Sequence, residues 1–161
     1  MNKQPLIFHS NSAQETEALG SALGRLLAAG DLITLSGELG EGKTCFVRGI
    51  VAGAAPEAAD MVASPTFAIL NQYPAKTPIM HYDCYRLHGS DDAVELGLLD
   101  HLDGTGICLL EWPERIEDIL VTDRLAVSFC WLSENQRQIA FSAYGKRNAE
   151  LLLQLDALHK K

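Results

Sequence analysis

Apolar residues recur along the chain with two spacings, and the change between them predicts where helices and strands lie. After Ser12, the apolar residues Leu19, Leu23 and Leu26 follow a helical repeat that ends at Gly30. Ser12 begins the sequence Ser-Ala-Gln-Glu, which is the pattern of a capping box at a helix start. We therefore expect an amphipathic helix between Ser12 and Gly30.

Shorter apolar runs predict strands. Residues 107–110 are all apolar, as is typical of a parallel strand covered on both faces. The runs 67–73 and 79–85 are joined by Pro-Ala-Lys-Thr-Pro, a short connection that favours a hairpin. The complete set of predicted strands is 6–9, 32–36, 67–73, 79–85, 107–110, 125–132 and 138–144.

Helical repeats fall between most of these strands. The further predicted helices are 43–55, 91–102, 148–158 and one that begins at Pro113. Within 91–102, Val94 and Leu98 are in phase for a buried face. Because strands and helices alternate through the first two thirds, we predict an α/β fold with three layers and a mixed, mainly parallel central sheet. A chain of 161 residues without repeats or linkers is expected to form one domain, residues 1–161.

Composition limits the partners and the location. The formal net charge is −8 and the basic residues form no cluster, so electrostatic repulsion opposes direct binding to nucleic acid. No apolar run approaches the ~18 residues of a membrane helix, and the N-terminus lacks a signal sequence. These features together predict a cytoplasmic protein without membrane contact.

The four cysteines, Cys45, Cys84, Cys108 and Cys130, form no CxxC pair. We interpret them as small buried apolar residues rather than as metal ligands or disulfide partners. Cys45 is a partial exception, because it directly follows a phosphate-binding motif where its thiol could be accessible.

That motif is residues 37–44, Gly-Glu-Leu-Gly-Glu-Gly-Lys-Thr, which match GxxxxGK[ST] at every fixed position. The glycines let backbone N–H groups approach phosphate oxygens, and the helix that follows adds the dipole of its N-terminus. Lys43 would place a charge at the β- and γ-phosphates, and the Thr44 hydroxyl would bind Mg²⁺. The predicted nucleotide-binding residues of this segment are Glu38, Leu39, Gly40, Glu41, Gly42, Lys43, Thr44 and Cys45.

Hydrolysis also needs an acid that holds Mg²⁺ or orients water, and two carboxylates are suitably placed. Glu111 ends the apolar run 107–110, and Asp83 lies near the end of another predicted strand. Since ligands bind outside the carboxyl ends of strands in open α/β sheets, both could face the phosphates. Both are candidates for catalysis and for Mg²⁺ binding, and the sequence leaves open which does which. The alternative is that each is a solvated carboxylate at a strand end.

Other candidates lie in the connections. Ser64 and Thr66 belong to Ser-Pro-Thr-Phe, placed where a switch loop would hold a hydroxyl near the metal and the γ-phosphate; the alternative is an ordinary Ser-Pro turn. Trp112 could stack on a base or simply pack beside the strand end. His81 could donate a hydrogen bond to a carboxylate.

Taken together, these segments resemble the TsaE (YjeE) family, the bacterial ATPases of tRNA threonylcarbamoyladenosine biosynthesis. The resemblance is carried by residues 37–44, by Ser-Pro-Thr-Phe at 64–67, by His-Tyr-Asp-Cys-Tyr-Arg-Leu at 81–87 and by Leu-Glu-Trp-Pro-Glu at 110–114. The first motif is common to many families, whereas the last two in combination are specific. The likeness runs from about residue 12 to residue 116.

The resemblance implies a role in making N6-threonylcarbamoyladenosine at position 37 of tRNAs that read ANN codons. In this family the partner is the TsaD–TsaB pair, which transfers the group to tRNA, so tRNA would be met only through that complex. Hydrolysis of ATP would support repeated turnover of the pair. By the same match Lys43 and Thr44 would bind ATP and Mg²⁺, Asp83 and Glu111 would serve the metal and hydrolysis, and Trp112 would lie at the nucleotide site.

Two residues depart from the family pattern. Glu41 occupies a loop position that is often small in the family, and Cys45 stands where a second Thr is common. Either could tune affinity, and neither removes a group that the phosphate site needs.

The residues leave two other functions open. One is a nucleotide-gated binding module, in which ATP changes the shape of the 64–67 loop and hydrolysis only resets it. The other is a small-molecule kinase, which would need an acceptor site and usually an arginine-rich lid; the late arginines do not cluster. Base specificity is also open from the motifs alone, so ATP rather than GTP rests on the family resemblance.

We expect the isolated protein to bind tRNA weakly or not at all, because neutralisation of phosphates supplies most non-specific affinity and the net charge here is −8. A gel-shift titration at physiological salt measures this, with the TsaD–TsaB pair added in a parallel series. Submicromolar binding by the pure protein alone would contradict the expectation.

Overall fold

The computed structural model describes residues 4–38, 42–62, 69–120 and 122–160. Within these residues seven strands form one sheet in the order β1-β7-β6-β2-β5-β4-β3. The strands are β1 (Leu6–Ser10), β2 (Leu32–Ser36), β3 (Leu70–Tyr73), β4 (Ile79–Asp83), β5 (Ile107–Glu111), β6 (Arg124–Trp131) and β7 (Arg137–Tyr144). The helices are α1 (Ala13–Leu26), α2 (Lys43–Ala54), α3 (Ser90–Glu95), α4 (Leu98–His101) and α5 (Lys146–His159), with 3₁₀ helices over Pro56–Met61 and Pro113–Ile119.

The sheet is mixed, as predicted, with its parallel part in the centre. Strands β6, β2, β5 and β4 run parallel, whereas β1, β7 and β3 join through antiparallel pairings at the two edges. The β3–β4 pairing confirms the predicted hairpin. The parallel character is therefore confined to the four strands around β2, and these are the strands whose carboxyl ends meet.

Helices cover the two faces of the sheet unequally. One face packs on α1, α2 and α5 through a core that includes Ile33, Phe46, Leu109 and Leu151. The other face packs on α3, α4 and the 3₁₀ helix Pro113–Ile119, and the strands β2, β4 and β5 contribute the described sheet residues of that core. The three predicted layers are thus present over one half of the sheet.

The prediction that all four cysteines are buried is wrong for Cys130, because helices cover the sheet unevenly. Cys84 and Cys108 are buried, as expected, and burial raises the pKa of each thiol to about 12. Cys130 is exposed, because its strand β6 presents Cys130 and Ser128 on the face that the described helices leave open. Cys45 is half-buried in the first turn of α2.

The predicted helix 91–102 is wrong in its continuity. Gly97 adopts a left-handed conformation with φ of 84°, so the chain forms two short helices, α3 and α4. Leu98 is buried as predicted, but Val94 is 43% exposed. The break changes the helical phase, which is why a single repeat placed Val94 on the wrong face.

Local hydrogen bonds explain two further boundaries. The Ser12 hydroxyl accepts from the Glu15 N–H at 3.0 Å, while the Glu15 carboxylate accepts from the Asn11 N–H at 2.7 Å, so the capping box forms with its return bond one residue early. Strand β4 ends at Asp83 rather than at Tyr85, because the Asp83 carboxylate accepts the Tyr85 N–H at 3.1 Å and turns the chain.

Helices α1 and α2 approach each other closely through glycines. A Cβ atom added to Gly20 or Gly24 on α1 would lie 2.4 or 2.2 Å from a backbone oxygen of α2. Gly49 and Gly53 on α2 face backbone oxygens of α1 at 2.1 and 2.2 Å in the same way. Only glycine permits this approach, so the position of α2 against the sheet depends on these four residues.

No helix within the described ranges has both the length and the apolar character needed to cross a lipid bilayer.

We expect Gly24→Ala to lower the free energy of unfolding by roughly 1–3 kcal/mol, because the added methyl group must push apart two backbones that cannot yield locally. This loss opposes the gain of about 1 kcal/mol in helix propensity that alanine normally brings. Urea unfolding measures the difference. Gly89→Ala is the matched control, since a Cβ there meets no described atom within 4 Å. Equal unfolding midpoints for the two variants would contradict this account of the helix pair.

Candidate functional site

The phosphate-binding motif lies between the end of β2 and the start of α2. Gly42 is the N-cap of α2 and has a φ of 101°, a conformation that residues with a side chain rarely adopt. It brings no side chain to cap the helix, and the first N–H groups of a helix attract anions. Glu38 is exposed, and the predicted residues Leu39, Gly40 and Glu41 lie outside the described residues.

Lys43 is the first residue of α2 and is only 5% exposed. Its ammonium group donates to the Gly37 carbonyl oxygen at 2.5 Å and lies 4.2 Å from the centre of the Trp112 ring. Burial lowers the pKa of Lys43, while the carboxylates of Glu111 and Asp83 act in the opposite direction. The structure thus holds a buried cation where the sequence predicts the phosphates.

The two candidate carboxylates lie beside one another at the carboxyl edge of the sheet. Glu111 is paired in register with Leu35 on β2 and with Asp83 on β4. Leu35 belongs to the core under α2, so this row of side chains faces the helix that Lys43 begins. Glu111 is 3% exposed and is therefore not a solvated strand-end carboxylate.

Asp83 is half-buried, which distinguishes it from Glu111. Its pKa is raised, chiefly by burial and further by the neighbouring charge of Glu111, while the hydrogen bond from the Tyr85 N–H works against this rise. Lys43 also favours its charged form. The two carboxylates therefore share one cation but differ in their access to solvent.

Behind Glu111 lies a pair of aromatic side chains that the sequence only hinted at. The His81 Nε2 atom is 2.6 Å from the Glu111 Oε2 atom, and both residues are almost fully buried. The other ring nitrogen, Nδ1, lies 3.5 Å from the Tyr73 hydroxyl. The sequence predicts a carboxylate partner for His81, and the alternation of His81 and Asp83 along β4 places both on one face of the strand. No pattern in the sequence indicates a role for Tyr73 on β3.

Trp112 follows β5 with an unusual backbone conformation. It has a φ of 59° and a ψ of 52°, the left-handed region that a bulky residue adopts only under constraint. Its N–H donates to the Leu35 carbonyl at 3.2 Å, and its ring lies 4.9 Å from that of Tyr85. The indole therefore lies against Lys43, beside the phosphate-binding motif.

The remaining predicted residues divide into two groups. Thr44 and Cys45 are half-buried in the first turn of α2, next to Lys43. Ser64 and Thr66 lie outside the described residues.

Two residues that the sequence analysis missed flank the start of α2. A Cβ atom on Gly42 would lie 3.8 Å from Thr16 Cγ2 and 4.0 Å from Arg137 Cγ. The Arg137 guanidinium donates to the Ser133 and Gln136 carbonyls at 2.9 and 3.0 Å, which fixes it over the β6–β7 turn. No local pattern could have indicated that β7 brings an arginine to the phosphate motif.

Comparison with known proteins identifies the family. The sequence model described as "Threonylcarbamoyl adenosine biosynthesis protein TsaE" matches residues 10–139. The Treponema pallidum protein named tRNA threonylcarbamoyladenosine biosynthesis protein TsaE is 37% identical over 130 residues, which cover 81% of this chain and 95% of that protein. The Bacillus subtilis protein of the same name is 36% identical over 143 residues, 88% of either chain.

A solved structure agrees with these matches. The crystal structure of YdiB from Bacillus subtilis superposes with a TM-score of 0.81 at 31% sequence identity, over 100% of this chain and 99% of that one. Sequence and fold thus give the same answer over most of the chain. This protein belongs to the TsaE family of threonylcarbamoyl adenosine biosynthesis proteins.

Proposed function

We propose that this protein is an ATPase that binds ATP with Mg²⁺ and supports threonylcarbamoylation of tRNA adenosine 37 together with the TsaD–TsaB pair. The observation that carries the proposal is the placement of Lys43 at the start of α2, against the carboxylate row formed by Glu111 and Asp83. Membership of the TsaE family supplies the pathway, because the relatives are named for tRNA threonylcarbamoyladenosine biosynthesis.

Nucleotide binding would use the charge and the N–H groups at the start of α2. A triphosphate there would accept hydrogen bonds from the first turn and would replace the Gly37 carbonyl as the partner of Lys43. Burial disfavours the charged form of Lys43, and phosphate anions would favour that form. The site is therefore better matched to a bound polyphosphate than to water.

The donor set fits Mg²⁺ rather than a metal that needs a complete protein cage. Among the described residues no three His, Cys, Asp or Glu side chains are grouped closely enough to hold a metal ion. Thr44, Asp83 and Glu111 offer oxygen atoms only, and Mg²⁺ is usually bound by one or two carboxylates with phosphates and water completing its shell. When bound, the ion would neutralise charge on the β- and γ-phosphate oxygens.

The two carboxylates are suited to different tasks. Glu111 is buried and fixed by His81, so its charge would act at close range on an attacking water molecule. Asp83 is only half-buried, so solvent and water bound to an ion would reach it more easily than they reach Glu111. We assign Glu111 to orientation of the water and Asp83 to the hydration shell of the ion.

One observation favours the second candidate function, a nucleotide-gated binding module. Lys43 contacts both Gly37 and Trp112, so exchange of its partner for phosphate would be felt at Trp112 and at the adjacent Tyr85. Slow turnover of the pure protein with strong stimulation by the TsaD–TsaB pair would favour this function. Fast turnover by the pure protein would favour a self-sufficient enzyme.

We expect Lys43→Ala to abolish ATP hydrolysis with the TsaD–TsaB pair present, because the variant loses the cation that offsets phosphate charge. Lys76→Ala removes an exposed lysine from the β3–β4 connection and serves as the matched control for net charge. Phosphate release and the thermal melt are measured for both. Wild-type turnover in folded Lys43→Ala protein would remove the basis of the assignment.

Glu111→Gln should bind ATP yet lose hydrolysis by roughly 100-fold or more, since the amide keeps the size of the side chain but not its charge. It should also hold the protein on the TsaD–TsaB pair in the ATP state. Calorimetry, phosphate release and co-purification measure the three quantities, and Asp83→Asn is tested beside it. Loss of turnover in Asp83→Asn alone would reverse the assigned roles, and normal turnover in both variants would exclude both acids from catalysis.

A further inference from the structure

Glu111 is a buried carboxylate whose orientation is fixed from behind. It stands at the carboxyl end of β5 and is 3% exposed, while His81 on the neighbouring strand β4 is 2% exposed. A short hydrogen bond of 2.6 Å joins His81 Nε2 to Glu111 Oε2. Burial of a carboxylate without a hydrogen-bond partner would cost free energy of folding, and its side chain would be free to rotate.

The ring of His81 is itself held on its far side. Its Nδ1 atom lies 3.5 Å from the Tyr73 hydroxyl, and the two rings stack with an interplanar angle of 28°. Tyr73 is 3% exposed and belongs to the core beneath α2. With an ionised Glu111 as acceptor, Nε2 carries the proton and Nδ1 can accept from Tyr73, so the three side chains form one directed chain.

We propose that His81 is the positioning residue of the hydrolytic site, holding Glu111 Oε2 so that the other carboxylate oxygen is presented to the phosphate edge, with Tyr73 fixing the ring. The inference rests on the proposed function, in which Glu111 orients the attacking water. His81 acts on the reaction only through Glu111, because its Nε2 atom is bonded to Glu111 and its Nδ1 atom faces the Tyr73 hydroxyl. Partners of this kind are typically worth ten- to a hundred-fold in activity.

The alternative is that His81 merely fills the core beside Tyr73. The two explanations separate in kinetics, because a core residue affects how much protein is folded and not the turnover of the folded fraction. They also differ in which substitution of His81 should retain activity. Glutamine keeps an N–H near the position of Nε2, whereas leucine keeps only the apolar volume.

The test measures ATP hydrolysis by the full chain with the TsaD–TsaB pair. We expect His81→Leu to lower kcat about 10- to 100-fold while KM and the calorimetric ATP affinity change less than about twofold, and His81→Gln to recover most of the loss. Tyr73→Phe should lower kcat by a few-fold through the loosened ring. An unchanged kcat in His81→Leu, or equal losses in the leucine and glutamine variants, would overturn the proposal.

The chain contains a matched control on the opposite face of the sheet. Tyr82 is fully buried in the second core, and its hydroxyl is hydrogen-bonded to Nδ1 of the partly buried His101. His101→Leu therefore removes the same kind of Tyr–His contact away from the phosphate edge. We expect it to cost stability but to leave kcat within about twofold, and a loss equal to that of His81→Leu would overturn the positioning role.

A spectroscopic measurement separates this inference from the proposed function. Ring ¹⁵N resonances of the nucleotide-free protein, assigned to His81 by their loss in His81→Gln, should shift in Glu111→Gln and stay unchanged in Glu114→Gln, which alters an exposed neighbour. If the His81 resonances shift in Glu111→Gln but the wild-type protein has no ATPase activity, the proposed function is wrong. His81 would then be a structural partner of Glu111 only, and the positioning role would be excluded with it. Active wild-type protein with unmoved resonances would overturn the inference alone.

Discussion

The register of three parallel strands is the constraint on which the candidate site depends. Pairing of β2, β5 and β4 sets Leu35, Glu111 and Asp83 in one row at the carboxyl edge of the sheet. Because side chains alternate between the faces of a strand, a slip of one residue in β5 would turn Glu111 away from α2 and into the opposite core. Strand β5 is buried at every position, and its first four residues are apolar, so burial of apolar side chains does not distinguish one register from another. The register must therefore be fixed by the hydrogen bonds between strands together with the placement of Glu111.

Burial of opposite charges follows from that register. Lys43 and Glu111 are both nearly inaccessible to solvent, and charges in such positions are retained at a cost that hydrophobic residues would avoid. The arrangement lowers the pKa of Lys43 and raises that of Asp83, since burial disfavours the charged form of each. The opposite charges of Lys43 and Asp83 counter this effect of burial, because each favours the charged form of the other. Close approach of α1, allowed by its glycines, holds α2 and therefore Lys43 in this position.

The sequence predicted the parts of the site that depend on local pattern. The phosphate motif follows an apolar strand and precedes a helix, and Glu111 directly follows an apolar run. Both positions could therefore be predicted from the adjacent residues in the sequence. The TsaE resemblance, carried by four short segments, is confirmed by the family match over residues 10–139.

Contacts across long stretches of chain could not be predicted in the same way. His81 and Glu111 are 30 residues apart and meet because β4 lies beside β5, and Arg137 reaches Gly42 because β7 and β6 return along the sheet. The prediction of one continuous helix over 91–102 failed for a related reason. A glycine within a helical repeat is usually tolerated, and only the tertiary position decides whether it adopts a left-handed conformation.

The contacts of Lys43 also connect the hydrolytic and the gating accounts of function. In the structure its ammonium is shared between the Gly37 carbonyl and the Trp112 ring, and Trp112 is held in a left-handed conformation by its hydrogen bond to Leu35. Under the proposed function, a phosphate that binds Lys43 would weaken the contact of its ammonium group with the indole, so nucleotide binding would alter Trp112 and its neighbour Tyr85. Hydrolysis and release of phosphate would, under the same proposal, reverse that change. The proposed ATPase would therefore also act as a switch, and the TsaD–TsaB pair would determine how often the cycle is completed.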